Sequence, residues 1–101
     1  MKILKTDKRL INEVLRYKIE GDLISNEEIN LVDLDKPLYV TGCIKAGEYI
    51  RADKSIRAGE FIEASGYIDV NGFIEAGRYI SSGWYIDAYK CIKAGGRIKS
   101  G

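Results

Sequence analysis

Isoleucine stands at every sixth position from Ile44 to Ile98, through Ile50, Ile56, Ile62, Ile68, Ile74, Ile80, Ile86 and Ile92, with no substitution and no slip of register. A fixed short period of this kind specifies a solenoid, because each unit is too small to bury its apolar side alone and must bury it against its neighbours. The unit is Ile-x-Ala-Gly-x-aromatic, as in Ile44-Lys45-Ala46-Gly47-Glu48-Tyr49. Isoleucine at the first place and a small residue at the third have the alternation of a short strand with both side chains inward.

Stacked positions should share chemistry, so the number of hexads per coil can be asked of the sequence. Three hexads, 18 residues, put Gly59, Gly77 and Gly95 in one column, and Ala58, Ala76 and Ala94 beside it. The same shift stacks Tyr49, Tyr67 and Tyr85. It also sets Lys45 beside Glu63, Arg51 beside Asp69, and Arg57 beside Glu75, which faces Lys93. Opposite-charge and aromatic neighbours across strands are each worth roughly 0.2–1 kcal/mol. Four hexads match the charges nearly as well but mix Gly47 with Asn71 and Asp53 with Gly77. The expectation is therefore an all-β solenoid, a three-sided parallel β-helix with about 18 residues per coil. Gly47, Gly59, Gly77, Gly83 and Gly95, with Asp53 and Asn71 at equivalent places, then fall at corners, where a bend with positive φ would suit them. Each buried isoleucine should contribute roughly 1.5–3 kcal/mol.

Counting back in sixes from Ile44 reaches Leu38 and Val32, with Val40 and Leu34 in the alanine place and Pro37 at a corner. The division predicted is a capping segment over 1–31 and a repeat domain over 32–101. Within the cap, Leu10, Ile11, Val14, Leu15, Lys18 and Ile19 share one face at helical spacing. Thr6 or Asp7 at the start and Gly21 at the end make an α-helical cap over about 6–19. At the other end Ile98 and Lys99 are still in repeat register. An uncovered coil presents unpaired strand edges, and the expected consequence is a homodimer through the C-terminal coil, with Ile98 and Lys99 in the contact.

The repeats over 32–101 resemble the hexapeptide-repeat proteins that form triangular parallel β-helices, a class with acyltransferases and carbonic-anhydrase-like enzymes. In that family the small inward residue sits two places before the aliphatic one, whereas here Glu48, Lys54, Glu60, Arg78, Trp84 and Lys90 hold those places and the small residue follows the isoleucine. The chain is also similar to the Ile-x-Ala-Gly-rich repeats of uncharacterised bacterial and phage-encoded proteins, which carry no known catalytic motif. The enzymes of the hexapeptide class imply a histidine base or histidine metal ligands, and this chain has no histidine. No catalytic residue, metal site or cofactor is therefore carried over.

Other chemistry is equally thin. Glu63, Asp69, Glu75 and Asp87 alternate with Lys and Arg at the outward place after each isoleucine, the pattern of a solvated face with ion pairs between coils. Cys43 and Cys91 lack a histidine partner and are 48 residues apart, not a multiple of 18, so they should lie on different faces. Ala94-Gly95-Gly96 has no Gly-Lys-Ser/Thr context and is a repeat corner, not a phosphate loop. Sixteen basic against fifteen acidic residues give a net charge of +1, which offers no general affinity for nucleic acid. No apolar run approaches the roughly 20 residues of a membrane span, and Met1–Thr6 does not read as a signal peptide. A cytoplasmic protein with no membrane partner is the expectation.

The aromatics carry the functional signal that remains. Tyr49, Phe61, Tyr67, Phe73, Tyr79 and Tyr85 each precede an inward isoleucine and should point outward or lie along a corner, with Trp84 beside Tyr85. They either stack between coils or form a recognition surface, since exposed Tyr and Trp flanked by charge are the composition of binding hot spots. The outward charges run basic at Lys45, Arg51 and Arg57, acidic from Glu63 to Asp87, and basic again at Lys93 and Lys99. Tyr49, Tyr67, Trp84, Tyr85, Asp69 and Asp87 are thus the candidate partner-binding residues. The reading is a non-catalytic protein-binding module, of the kind a small phage-encoded inhibitor of a bacterial defence or regulatory protein acting by occlusion would use. A self-assembling structural β-helix is the alternative from another class, and a hexapeptide-type transferase is disfavoured by the absence of histidine.

Overall fold

The computed structural model describes residues 1–101 as fifteen short strands wound into stacked coils, with no helix. Two strands, β1 (Ile11–Asn12) and β2 (Tyr17–Ile19), form an antiparallel pair at the N-terminal end. They are followed by β3 (Leu23–Ser25), β4 (Ile29–Leu31) and β5 (Leu38–Val40). Each later hexad then gives one three-residue strand: β6 (Ile44–Ala46), β7 (Ile50–Ala52), β8 (Ile56–Ala58), β9 (Ile62–Ala64), β10 (Ile68–Val70), β11 (Ile74–Ala76), β12 (Ile80–Ser82), β13 (Ile86–Ala88), β14 (Ile92–Ala94) and β15 (Ile98–Ser100).

Three sheets make the three faces. One runs β1-β2-β5-β8-β11-β14, the second β4-β7-β10-β13, and the third β3-β6-β9-β12-β15. Apart from the β1–β2 pair the ladders are parallel, and from β5 onward the register advances by one coil of 18 residues: Leu38 pairs Ile56, Ile44 pairs Ile62, and Ile62 pairs Ile80, which pairs Ile98. The three-hexad coil is thus the observed one.

Isoleucines from Ile44 to Ile80 are 0–1% exposed, and the alanines two places on line the same interior at 1–4%. Small residues there let three faces close around a core one isoleucine wide. The corner glycines have a different cause from the one the sequence suggests. None has positive φ; only Gly21, at 91°, does. What excludes a side chain is the coil beneath: a Cβ on Gly77 would stand 2.1 Å from the carbonyl oxygen of Gly59, and one on Gly95 would stand 2.2 Å from that of Gly77.

The expected helix over 6–19 is absent. Residues 11–12 and 17–19 are strands joined by a tight turn at Val14 and Leu15, closed by the Glu13 amide donating to the Arg16 carbonyl at 2.9 Å. Of the six residues on the expected helical face only Ile19 is fully buried, in β2 with Tyr17 inward and Lys18 between them, while Val14 and Leu15 stand exposed at the turn. Coil stacking also begins earlier than residue 32. Tyr17 pairs Leu38, Leu23 pairs Ile44 and Ile29 pairs Ile50, a first coil of 21 residues. Its extra residues lie in the connection at 32–37, where Leu34 turns into the core and Val32 begins no strand. The Tyr17 hydroxyl donates to Asp35 at 2.7 Å and Lys36 lies 4.5 Å from the Tyr17 ring, fixing the enlarged corner.

Candidate functional site

On the second face the outward residues of successive strands are Arg51, Asp69 and Asp87, in direct register. The corresponding pairs on the other faces close as ion pairs, Lys45 to Glu63 at 3.8 Å and Arg57 to Glu75 at 3.3 Å. Arg51 and Asp69 do not close, so Asp69 and Asp87 stand as adjacent carboxylates without an ion-pair partner. They floor a shallow trough of about 290 Å³ with Arg51, Asp53, Asn71 and Tyr89 around it.

Beside this face runs the tyrosine column. Tyr49 and Tyr67 stack with ring centroids 5.0 Å apart, and Tyr67 and Tyr85 at 5.1 Å, with planes within 5° of parallel. Stacking consumes the ring faces of Tyr67 on both sides, so only the edges of the inner rings meet solvent. Tyr85, at the end of the column, is 49% exposed. Its hydroxyl is held above the ordinary phenol range, first by desolvation and then by the carboxylates of Asp69 and Asp87. Trp84 is 66% exposed and lines a second recess with Gly47, Glu48, Tyr49, Gly66 and Tyr67.

The six residues singled out in the sequence therefore fall into two adjacent recesses, not one pocket: Asp69 and Asp87 in the facial trough, Tyr49, Tyr67 and Trp84 at the corner, with Tyr85 between them along the chain. Tyr89 was missed. It is 79% exposed and replaces Asp53 and Asn71 in their corner column, a break in the column that was visible in the repeat alignment. A second overlooked cluster is Tyr39, flanked by the guanidinium groups of Arg16 at 4.7 Å and Arg57 at 5.2 Å. Ile98, 47% exposed, and Lys99 lie on the outermost strand of the third face.

Nothing nucleophilic is assembled at these recesses. Cys43 is buried and its thiol is pushed up by burial and then by Asp22, while Cys91 is exposed at another corner. No group of three His, Cys, Asp or Glu side chains is arranged to hold a metal ion. Comparison with protein-family models, curated proteins and solved structures finds no match.

Proposed function

We propose that this solenoid is a non-catalytic protein-binding module whose recognition surface is the distal part of the second face and its corner: Trp84, Tyr85 and Tyr89 around Asp69 and Asp87. The observation that carries the reading is the unclosed Arg51–Asp69 pair. A column whose counterparts form ion pairs leaves two carboxylates free here, between exposed aromatic rings. Such a surface suits a partner's Lys or Arg side chain, which gains carboxylate contacts and the face of an aromatic ring together. Occlusion of a partner surface is the corresponding mechanism. An inhibitor of a bacterial defence or regulatory protein, phage-encoded, is the use that the Ile-x-Ala-Gly repeat likeness supports.

The test begins with capture of the partner from a bacterial lysate and identification by mass spectrometry, followed by calorimetry with the purified pair. Trp84→Ala and Asp87→Asn should each weaken binding by about 2 kcal/mol without lowering the melting temperature, the size expected at interface hot spots. Unchanged affinity with lowered melting temperature would show that these residues only support the coil.

A further inference from the structure

The residues that precede the inward isoleucines form one column at each corner, and the three columns are filled differently. Tyr49, Tyr67 and Tyr85 stack in one at 5.0 and 5.1 Å, and Phe61 stacks on Tyr79 in another at 4.9 Å. The remaining column runs Pro37, Ser55, Phe73 and Cys91, in register because the Leu38 amide donates to the Ser55 carbonyl, Ile56 to Phe73 and Ile74 to Cys91. Phe73 is its one aromatic ring. Ser55 stands where a second ring would, with its hydroxyl accepting the Phe73 amide at 2.9 Å.

The missing ring leaves a recess of about 180 Å³ between Pro37 and Phe73, walled by Leu15 and Tyr39. Pro37 and Phe73 are two coils apart, about 10 Å at the strand spacing of a sheet, the separation that Tyr67 fills between Tyr49 and Tyr85. The recess is lateral: β5 is paired on both edges, with β2 and β8, and β11 with β8 and β14. Two cations border it. Arg16 and Arg57 hold their guanidinium carbons 4.7 and 5.2 Å from the centre of the Tyr39 ring. Nε of Arg16 donates to Glu13 at 2.7 Å and Nε of Arg57 lies 3.3 Å from Glu75, while the terminal nitrogens of both make no hydrogen bond within the chain. Beside them the β1–β2 turn leaves Val14 and Leu15 91% and 82% exposed.

We infer that this recess is the docking site for an aromatic side chain of a partner protein, carried on a segment with a carboxylate next to the ring. The ring completes the column between Pro37 and Phe73, and the carboxylate takes the free fork of a guanidinium already fixed against Tyr39. The recess is smaller than the roughly 300 Å³ at which pockets begin to enclose a free small molecule. The ring must therefore arrive on a chain that makes further contacts, and Val14 and Leu15 supply them. A nucleic-acid base has the ring, but its run of phosphates would meet Glu13 and Glu75 together with the arginines. This site shares no residue with the facial trough and stands independently of the role proposed there.

Three short synthetic peptides in a glycine–serine background test the assignment: one with phenylalanine between two aspartates, one with leucine in place of the phenylalanine, and one with lysines in place of the aspartates. Amide NMR titration of the intact chain should show the first binding at least about fivefold more tightly than either other, with its advantage over the lysine peptide shrinking as salt rises. The shifts should cluster at Leu15, Tyr39, Ser55 and Phe73. Ser55→Tyr gives the column its own ring and should abolish binding of the first peptide. Arg16→Gln combined with Arg57→Gln changes no core side chain, and carries the test should Ser55→Tyr not fold; it should remove the preference for aspartate over lysine and keep that for phenylalanine over leucine. Equal binding of the phenylalanine and leucine peptides, binding of none, shifts centred on Trp84, tighter binding of a single-stranded oligonucleotide, or a dimer by sedimentation that the first peptide dissociates would each overturn the inference, the last by making a second copy the occupant.

Discussion

Asp69 stands to Arg51 in the same ladder relationship that joins Glu63 to Lys45 and Glu75 to Arg57, yet Asp69 forms no ion pair and has Asp87 as its neighbour on the other side. Like charges directly across a ladder destabilise by a few tenths to about 1 kcal/mol. Asp87→Asn should therefore raise stability by about 0.5 kcal/mol at low salt. The gain should shrink toward zero in about 1 M salt, where the screening length is near 3 Å. Denaturant midpoints of both proteins at two salt concentrations measure this, and a loss of stability at low salt would show that Asp87 has a favourable partner.

Close approach between coils makes a second prediction. Gly77→Ala places a Cβ 2.1 Å from a backbone oxygen that cannot move without displacing the Gly59 corner. The cost should reach about 2–3 kcal/mol, the upper range for overpacking. Gly21→Ala has nothing within 4 Å of its Cβ, and its cost comes only from the positive φ of 91°, about 1 kcal/mol. If the Gly77 variant proves the milder of the two in urea unfolding, the corner glycines are not set by coil contact.

The repeat was legible because its burial and its period coincide: an isoleucine facing inward every sixth residue fixes both the strand and the face, and the charge and glycine columns then select the 18-residue coil. Counting backward failed at one place. The connection at 32–37 is longer than the others, so steps of six from Ile44 land on Val32, although Tyr17, Leu23 and Ile29 keep the same period among themselves. Helical spacing over Leu10–Ile19 was a coincidence of a short apolar stretch, where strand and helix patterns overlap. At the site, the tyrosine column followed from its spacing. The open Arg51–Asp69 pair did not, because side-chain closure depends on rotamers and neighbouring rings that a sequence column does not encode.

Position along the solenoid should grade the effect of a buried charge. Ile68 is 0% exposed between Ile50 and Ile86, whereas Ile98 is 47% exposed on the outermost strand. Ile68→Asp should unfold the chain, since an unpaired carboxylate in that column costs several kcal/mol. Ile98→Asp should lower stability by no more than about 1 kcal/mol. Circular dichroism melts decide the matter, and a cooperative, unshifted melt for the Ile68 variant would remove that residue from the core.

Acid should loosen the enlarged corner of the opening coil. The Asp35 carboxyl lies below its ordinary value of 3.8, chiefly because it accepts the Tyr17 hydroxyl hydrogen bond at 2.7 Å. Glu13 is lowered in the same direction, chiefly by its hydrogen bond from Arg16 at 2.7 Å. A carboxyl whose folded pKa is depressed contributes stability that is present above its unfolded pKa and is lost as pH falls through the folded one. Thermal stability should thus vary little with these groups near neutrality and decline below the ordinary carboxylate range. Asp35→Asn should lower the melting temperature at about pH 7 and flatten the acid decline, because the group that must take up a proton has been removed. Melting curves of the two proteins between about pH 7 and about pH 2 test it, and parallel acid declines would mean that Asp35 is not the group whose protonation loosens the corner.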